Sequence, residues 1–355
     1  MRKFQALSLS AALLASLLLG GCANNAASSD AASSDSAASE PEATPEPTPA
    51  PPAANPLTGA ADADYTGKRP VAVTLRNMTG STPQWGIASA DVLVEGVTEG
   101  TTASLMALYA NPDSIAKAGP VGPARDLLLQ VALPLNAVPV HIDKNIYASN
   151  LLNTLAYQDL DGYHIGKTAF AFDQDRQNAG YAEENCWYTT AELINSGLAS
   201  YGVSLNGDNT PLFQFGERPA VDPADRSGMN LTITFSPDDI DCLNYDTGTG
   251  LYALSNGDGS PVQDADNGQQ VGFTNVFVFY ASSGIKDDGY TRQYDMTAGT
   301  GLYLHGGAWE RINWTKEDAT GPFAITNEAG ETLVVSQGKS FIAIWGGYYG
   351  QSISL

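Results

Sequence analysis

The chain has 355 residues, with 39 acidic side chains against 17 basic ones, and a formal charge of −22. A surface of that sign repels nucleic acid and anionic lipid, so neither is expected as a partner. It accommodates divalent cations or a cationic ligand, although solubility alone accounts for an acidic surface. Gly and Tyr are plentiful and charged residues few, as suits a β-rich exported protein.

The first element is a secretory signal over residues 1–21. Arg2 and Lys3 precede an apolar run from Ala11 to Leu19, and Gly20-Gly21 close it. That run is shorter than the about 20 residues of a membrane-spanning helix. Cys22 follows directly, with Leu19 three places before the cut, which is the lipobox pattern. Its thiol would take a diacylglyceryl group and become the acylated N-terminus, with palmitate as a typical acyl chain. Residues 22–54 then form a tether without bulky apolar residues. The Ser-rich start is flexible, and the Pro-rich run from Pro41 to Pro52 is stiff. Its reach lies between about 30 Å as a coil and about 100 Å extended. The protein is thus expected at the outer face of the cell membrane, held by lipid.

The folded part is expected to be α+β, an α/β-type domain over 55–209 followed by a mainly antiparallel β-rich domain over 210–355. Val71–Leu75, Asp91–Glu95 and Ser104–Tyr109 read as strands. Pro123 opens a helix carrying Leu127, Leu128 and Val131, and Pro134 stops it. Val138–Ile142 returns as a strand. Ser149 is placed to cap a helix with Leu151, Leu152 and Leu155. Thr189 and Glu192 form a capping box before Leu193–Tyr201, which Gly202 ends. From about Thr210 helical signals vanish. Leu231–Phe235, Val276–Tyr280, Gly301–Leu304, Trp309–Trp314, Thr332–Val335 and Ser340–Trp345 read as strands between turn clusters.

After Cys22 only Cys186 and Cys242 remain, an even pair that one disulfide would join; two buried thiols are the alternative. Arg125 stands at a helix start, where a guanidinium and free N–H groups attract carboxylate or phosphate. Alternatively Asp126 or another acid pairs with it and locks the fold. Glu95 and Glu99 flank Gly96-Val97-Thr98, and paired carboxyls of suitable separation cleave sugars. His141 ends an apolar strand and is the best-placed general base, unless it is a satisfied core histidine. No nucleophile elbow, phosphate loop, dinucleotide fingerprint or metal-spaced His pair occurs, so neither cofactor nor metal is expected. Asp258, Asp264 and Asp266 resemble a calcium loop only loosely and suit a hairpin turn. Trp309, Trp314, Trp345, Tyr348 and Tyr349 would stack on a sugar or peptide, or anchor a β core.

Several motifs recur together: Arg69-Pro70-Val71-Ala72-Val73, Gln84 through Val92, Glu99-Gly100-Thr101-Thr102, Gly119 through Arg125, Gly301-Leu302-Tyr303 and Trp309 through Lys316. In that order they resemble the YerB-like lipoproteins of Gram-positive bacteria, over most of the chain from Asn55 to about Trp345. The resemblance implies a lipid-anchored extracytoplasmic protein with a two-part domain of unknown function, and no reaction. The chain departs from the family pattern at Gly122, where a second Arg is usual, at Glu184-Asn185-Cys186-Trp187 and at Ile142-Asp143-Lys144-Asn145. Together these features point to a non-enzymatic binding lipoprotein for a cell-wall fragment, a small anionic ligand or an envelope protein. The alternatives are a cell-wall hydrolase using Glu95, Glu99 or His141, and a structural or assembly lipoprotein.

Overall fold

The computed structural model describes residues 52–218 and 226–355. The signal, Cys22 and all but the last residues of the tether lie outside the described residues. Strands β1 (Val71–Leu75), β2 (Val92–Glu99), β3 (Thr102–Tyr109), β4 (Val138–His141) and β5 (Leu160–Asp161) come from the first segment, followed by the short pair β6 (Ala171–Phe172) and β7 (Trp187–Tyr188). Helices α1 (Asp126–Ala132), α2 (Ile146–Thr154), α3 (Gly162–Ile165), α4 (Gln174–Asn178) and α5 (Ala191–Tyr201) lie among and after them. The second segment holds β8 (Gln214–Phe215), β9 (Asn230–Ser236), β10 (Asp239–Asp246), β11 (Leu251–Asn256), β12 (Gly272–Phe273) and β13 (Asn275–Tyr280). It continues with β14 (Ser283–Ile285), β15 (Arg292–Tyr294), β16 (Ala298–His305), β17 (Ala308–Thr315), β18 (Ala324–Asn327), β19 (Val334–Val335), β20 (Ser340–Trp345) and β21 (Ser352–Ser354). Helices in the first segment and strands throughout the second give the expected α+β class.

Ten strands form one mixed sheet in the order β18-β17-β16-β13-β20-β2-β3-β1-β4-β5. Strand β20 lies between β13 and β2 and is parallel to both, with Phe341 opposite Val276 on one side and Leu93 on the other. The segments on either side of residue 209 therefore share one hydrogen-bonded ladder. A five-stranded antiparallel sheet, β12-β11-β10-β9-β21, covers one face of it. Leu231, Ile233, Phe235, Leu243 and Leu254 of this smaller sheet share a core with Leu93, Leu105 and Phe341 of the large one. The opposite face buries Val92, Val94, Ile342 and Ile344 against Leu127, Leu128 and Val131 of α1. Burial on both faces explains why β2 and β20 read as nearly continuous apolar runs.

Three local expectations shift. Helix α2 starts earlier than predicted: Asn145 is its cap, accepting from the Ala148 N–H at 2.9 Å, and Ser149 lies inside the first turns. Thr190, not Thr189, caps α5 through the Leu193 N–H, while the Thr189 hydroxyl donates to the Ala169 carbonyl at 2.8 Å. Strands β10 and β11 have no counterpart among the predicted strands. The disulfide is not formed. Cys186 and Cys242 are free thiols, Cys186 against the Ala182 carbonyl at 3.3 Å and Cys242 beside the Thr232 hydroxyl at 3.9 Å. Each packs within its own segment, so the pair cannot tie the two together.

Candidate functional site

Of the four residues singled out from sequence, Glu95 alone lines the main cleft. Glu99 and Arg125 pair with each other at the far end of β2. Arg125 Nε lies 2.7 Å from Glu99 Oε1, and Nη2 donates to Oε2 at 3.0 Å. Such a two-pronged contact uses the side of the guanidinium that an anion would need. Asp126 is not the partner; it pairs with Lys286 of the loop after β14. Arg125 thus carries the structural alternative, tying the end of β2 to the start of α1.

His141 is wholly buried at the end of β4. Its Nε2 lies 2.9 Å from Asp159 Oδ2 and its Nδ1 2.9 Å from the Asp143 carbonyl. Both ring nitrogens are engaged, which removes it as a free general base. His141, Asp159 and Asp161 are the one set among the described residues whose donor atoms converge as metal ligands do. Lys144 already serves them: its ammonium is 2.6 Å from Asp159 and 3.3 Å from Asp161. Burial would raise the Asp159 carboxyl, but the bonds from His141 and Lys144 outweigh it and hold it at about 2. The cluster is a closed ion network.

The cleft itself, about 570 Å³, lies between the smaller sheet and the central strands β20, β2 and β3 of the large one. Its floor is Leu93, Glu95, Leu105 and Phe341 of the large sheet. The loop containing Asn77 and Gln84 forms one wall, and the β9–β10 turn with the start of β10, carrying Asp239 and Asp241, forms the other. Strand alternation puts these acids inside. On β2, Glu95 shares a face with Leu93 and Val97; on β10, Asp241 shares one with Leu243. Glu95 is 3% exposed and Asp241 7%.

Asn77 Nδ2 donates to Glu95 Oε1 at 2.6 Å and reaches Asp239 Oδ2 at 3.5 Å, and Gln84 Nε2 donates to Asn77 Oδ1 at 3.0 Å. Burial, and then the neighbouring charges of Asp241 and Asp239, raise the Glu95 carboxyl well above the usual range. Burial likewise pushes Asp239 up to about 6, and burial with the Asp239 charge pushes Asp241 up to about 7. No Lys, Arg or His lines the cleft among the described residues. Asp241 Oδ2 is buried and receives no hydrogen bond. Such a group costs free energy until a proton or cation meets it.

The remaining sequence candidates are accounted for structurally. Asp264 is buried and accepts from the Gly86 and Ala88 N–H groups at 3.1 and 2.9 Å, which fastens the β11–β12 connection to the first segment. It is a clamp, not a calcium ligand. Trp314 is a core anchor, and its Nε1 donates to the Thr300 carbonyl at 2.9 Å. Trp309 and Trp345 pack against the core, the Tyr348 hydroxyl bonds the Gly284 carbonyl, and Tyr349 is fully exposed. Asp239 and Asp241 escaped the sequence reading, although an acid two residues before an inward Leu243 was visible there.

Residues 57–204 match the family model described as the N-terminal domain of a protein of unknown function, DUF3048, and residues 231–342 match the C-terminal domain of the same family. A Bacillus subtilis (strain 168) protein named "Putative lipoprotein YerB" is 27% identical over 274 residues, 73% of this chain and 78% of that one. The crystal structure of the YerB protein from Bacillus subtilis superposes with a TM-score of 0.74 at 24% identity, covering 85% of this chain and 99% of that one, which is a likeness of fold. Both halves of the sequence match in order, and on that ground the chain belongs to the DUF3048 family.

Proposed function

We propose that the protein is a lipid-anchored binding protein at the outer face of the cell membrane, and that it holds a small molecule of the envelope in the cleft between the two sheets. The observation that carries this reading is the cleft: a concave site of ligand size with buried polar groups at its floor. The Cys22 lipobox and the acidic, proline-rich tether support the location, as does the lipoprotein name of the Bacillus relative. Among the described residues no helix is long and apolar enough to cross the membrane. Acids at the cleft disfavour an anionic ligand, and the Arg125 guanidinium is closed by Glu99.

A thermal-shift titration with a soluble digest of peptidoglycan tests the reading. The digest is expected to raise the melting temperature of the wild type and to leave Thr79→Trp, which fills the exposed rim of the cleft, unmoved. A shift preserved in Thr79→Trp would place binding elsewhere.

One observation favours a hydrolase as the second reading. Glu95 hydrogen-bonds to Asp241 on the cleft floor, and burial and the Asp241 and Asp239 charges raise its carboxyl, the direction a general acid needs. Incubation with intact peptidoglycan decides it: release of reducing ends that Glu95→Gln abolishes supports the hydrolase, and absence of release at high protein concentration excludes it.

A further inference from the structure

We infer that the ligand of this cleft carries a primary ammonium group, seated against Asp241 with Glu95 and Asp239 beside it. The inference deepens the binding reading and rests on it. Three observations lead there.

The first is the bare oxygen of Asp241. The residue is more than nine-tenths buried, it lines the cleft and it shares a hydrogen bond with the Glu95 carboxyl, while its Oδ2 receives none from any N–H or hydroxyl among the described residues. Glu95 is an acid and brings no positive charge to this oxygen, so a cationic donor for it would have to come from the cleft.

The second is the charge around it. Asp238 and Asp258 stand on the same cleft as the buried Glu95 and Asp241 and the half-buried Asp239, and the lining contributes no basic side chain among the described residues. The large-sheet floor and the Asn77–Gln84 loop add no other titratable group to the lining than Glu95. The lining therefore attracts a cation from the β10 side and the floor, while Arg176 stands behind the Asn77–Gln84 loop, donating to the Pro83 carbonyl. The walls add apolar carbon from Leu93, Leu105, Leu254 and Phe341, which suits the hydrocarbon stem of an amine more than a bare ion.

The third is the contrast with the His141 cluster. The convergent, metal-like set of donors is there and not in the cleft. There, too, the chain shows its own solution for paired buried carboxylates: the Lys144 ammonium spans Asp159 and Asp161. The cleft presents the same acid chemistry with the lysine missing. Cell-wall peptides with a free diamino-acid amine, deacetylated amino sugars and diamines all share the required group.

Burial pushes Asp239 up to about 6 and Asp241 up to about 7, so an ammonium arriving at about pH 6–7 displaces protons held there. Binding is thus coupled to proton release and strengthens between about pH 5 and pH 8.

Isothermal titration of the full chain in detergent, with cadaverine and glucosamine against N,N′-diacetylcadaverine and N-acetylglucosamine, tests the inference. The free amines are expected to bind at least about tenfold more tightly than their acetylated forms. Titration in buffers of different ionisation enthalpy is expected to show released protons, and Asp241→Asn to remove the preference. Circular dichroism of Asp241→Asn and of Glu95→Gln verifies that a loss is not unfolding. Equal binding of amine and acetylated forms overturns the inference, as does a preference that survives in both variants. A peptidoglycan digest that protects the wild type but not Thr79→Trp, and still does so after exhaustive N-acetylation, overturns the ammonium while the cleft reading stands. No protection by the digest in either form, with no amine binding, overturns both.

Discussion

Asp241 and Arg125 are both charged, mostly buried side chains, and they make opposite contributions. Asp241 has the Glu95 carboxyl for a neighbour and no cationic partner among the described residues. Its folded pKa, about 7, lies above the unfolded value, so the stability it lends is full below about pH 4 and is lost as pH rises through 7. Asp159 runs the other way: held at about 2, it lends stability above pH 4 that is lost as pH falls towards 2. Asp241→Asn is therefore expected to stabilise the protein by about 1–3 kcal/mol at pH 8 and to change little at pH 4. Denaturant midpoints of wild type and variant at the two pH values check this. A variant equally stabilised at both would show that desolvation of Asp241 is not the cause. Arg125→Ala, by contrast, leaves the half-buried Glu99 without its guanidinium. It is expected to cost about 1–3 kcal/mol while leaving cleft binding intact; weakened binding without loss of stability would restore Arg125 to a ligand site. At this scale the sequence was half legible. Glu95 stood out only as one of two acids flanking Gly96-Val97-Thr98 near an expected strand end. Arg125 also stood out, but a helix start reads the same whether its arginine meets a ligand or a chain carboxylate. Only the fold brings Glu99 within 2.7 Å.

The same divide holds among the elements. Strands buried on both faces, such as β1 and β20, were legible to the residue because every side chain in them is apolar or small. Strand β10 was not. Its sequence, Asp239-Ile240-Asp241-Cys242-Leu243-Asn244-Tyr245-Asp246, holds too many turn-forming acids and amides to look extended. Pairing with β9 and β11 on both sides supplies the order its side chains do not. The strand that breaks the propensity rules is also the one that carries the cleft acids, as expected where function competes with local preference. A second element-level device is the turn at Asp264, whose carboxylate holds the Gly86 and Ala88 N–H groups across the two segments. Asp264→Ala removes both acceptors from buried donors and is expected to cost about 2–4 kcal/mol. Asn145→Ala, which removes only a helix cap, is expected to cost about 1 kcal/mol. Urea melts of the two variants rank them; an Asp264 loss no greater than the Asn145 one would mean that the turn does not hold the segments together.

For the molecule as a whole, the decisive strand is β20. It is nearly the last in the chain, yet it sits in the middle of the large sheet, hydrogen-bonded to β2 from the first segment and β13 from the second. Neither neighbour has another partner on that side. Until residues 340–345 arrive, both strands present an open apolar edge, the kind of edge that aggregates. The change of composition near Thr210 was visible in sequence, but a contact between residues some 250 positions apart leaves no local trace there. Closing such long-range pairings makes folding slow and cooperative. The two segments are thus expected to melt together. Fluorescence of a variant keeping only Trp85, in the first segment, and of one keeping only Trp314, in the second, should report the same midpoint in urea. Ile342→Pro, which breaks the ladder on both sides of β20, should lower both midpoints by the same amount or prevent folding outright. If Trp85 kept its midpoint while Trp314 lost its own, the first segment would fold without β20. The cleft, which borrows its floor from β2 and Phe341 and its acids from β10, would then be assembled by docking two bodies instead of by folding one.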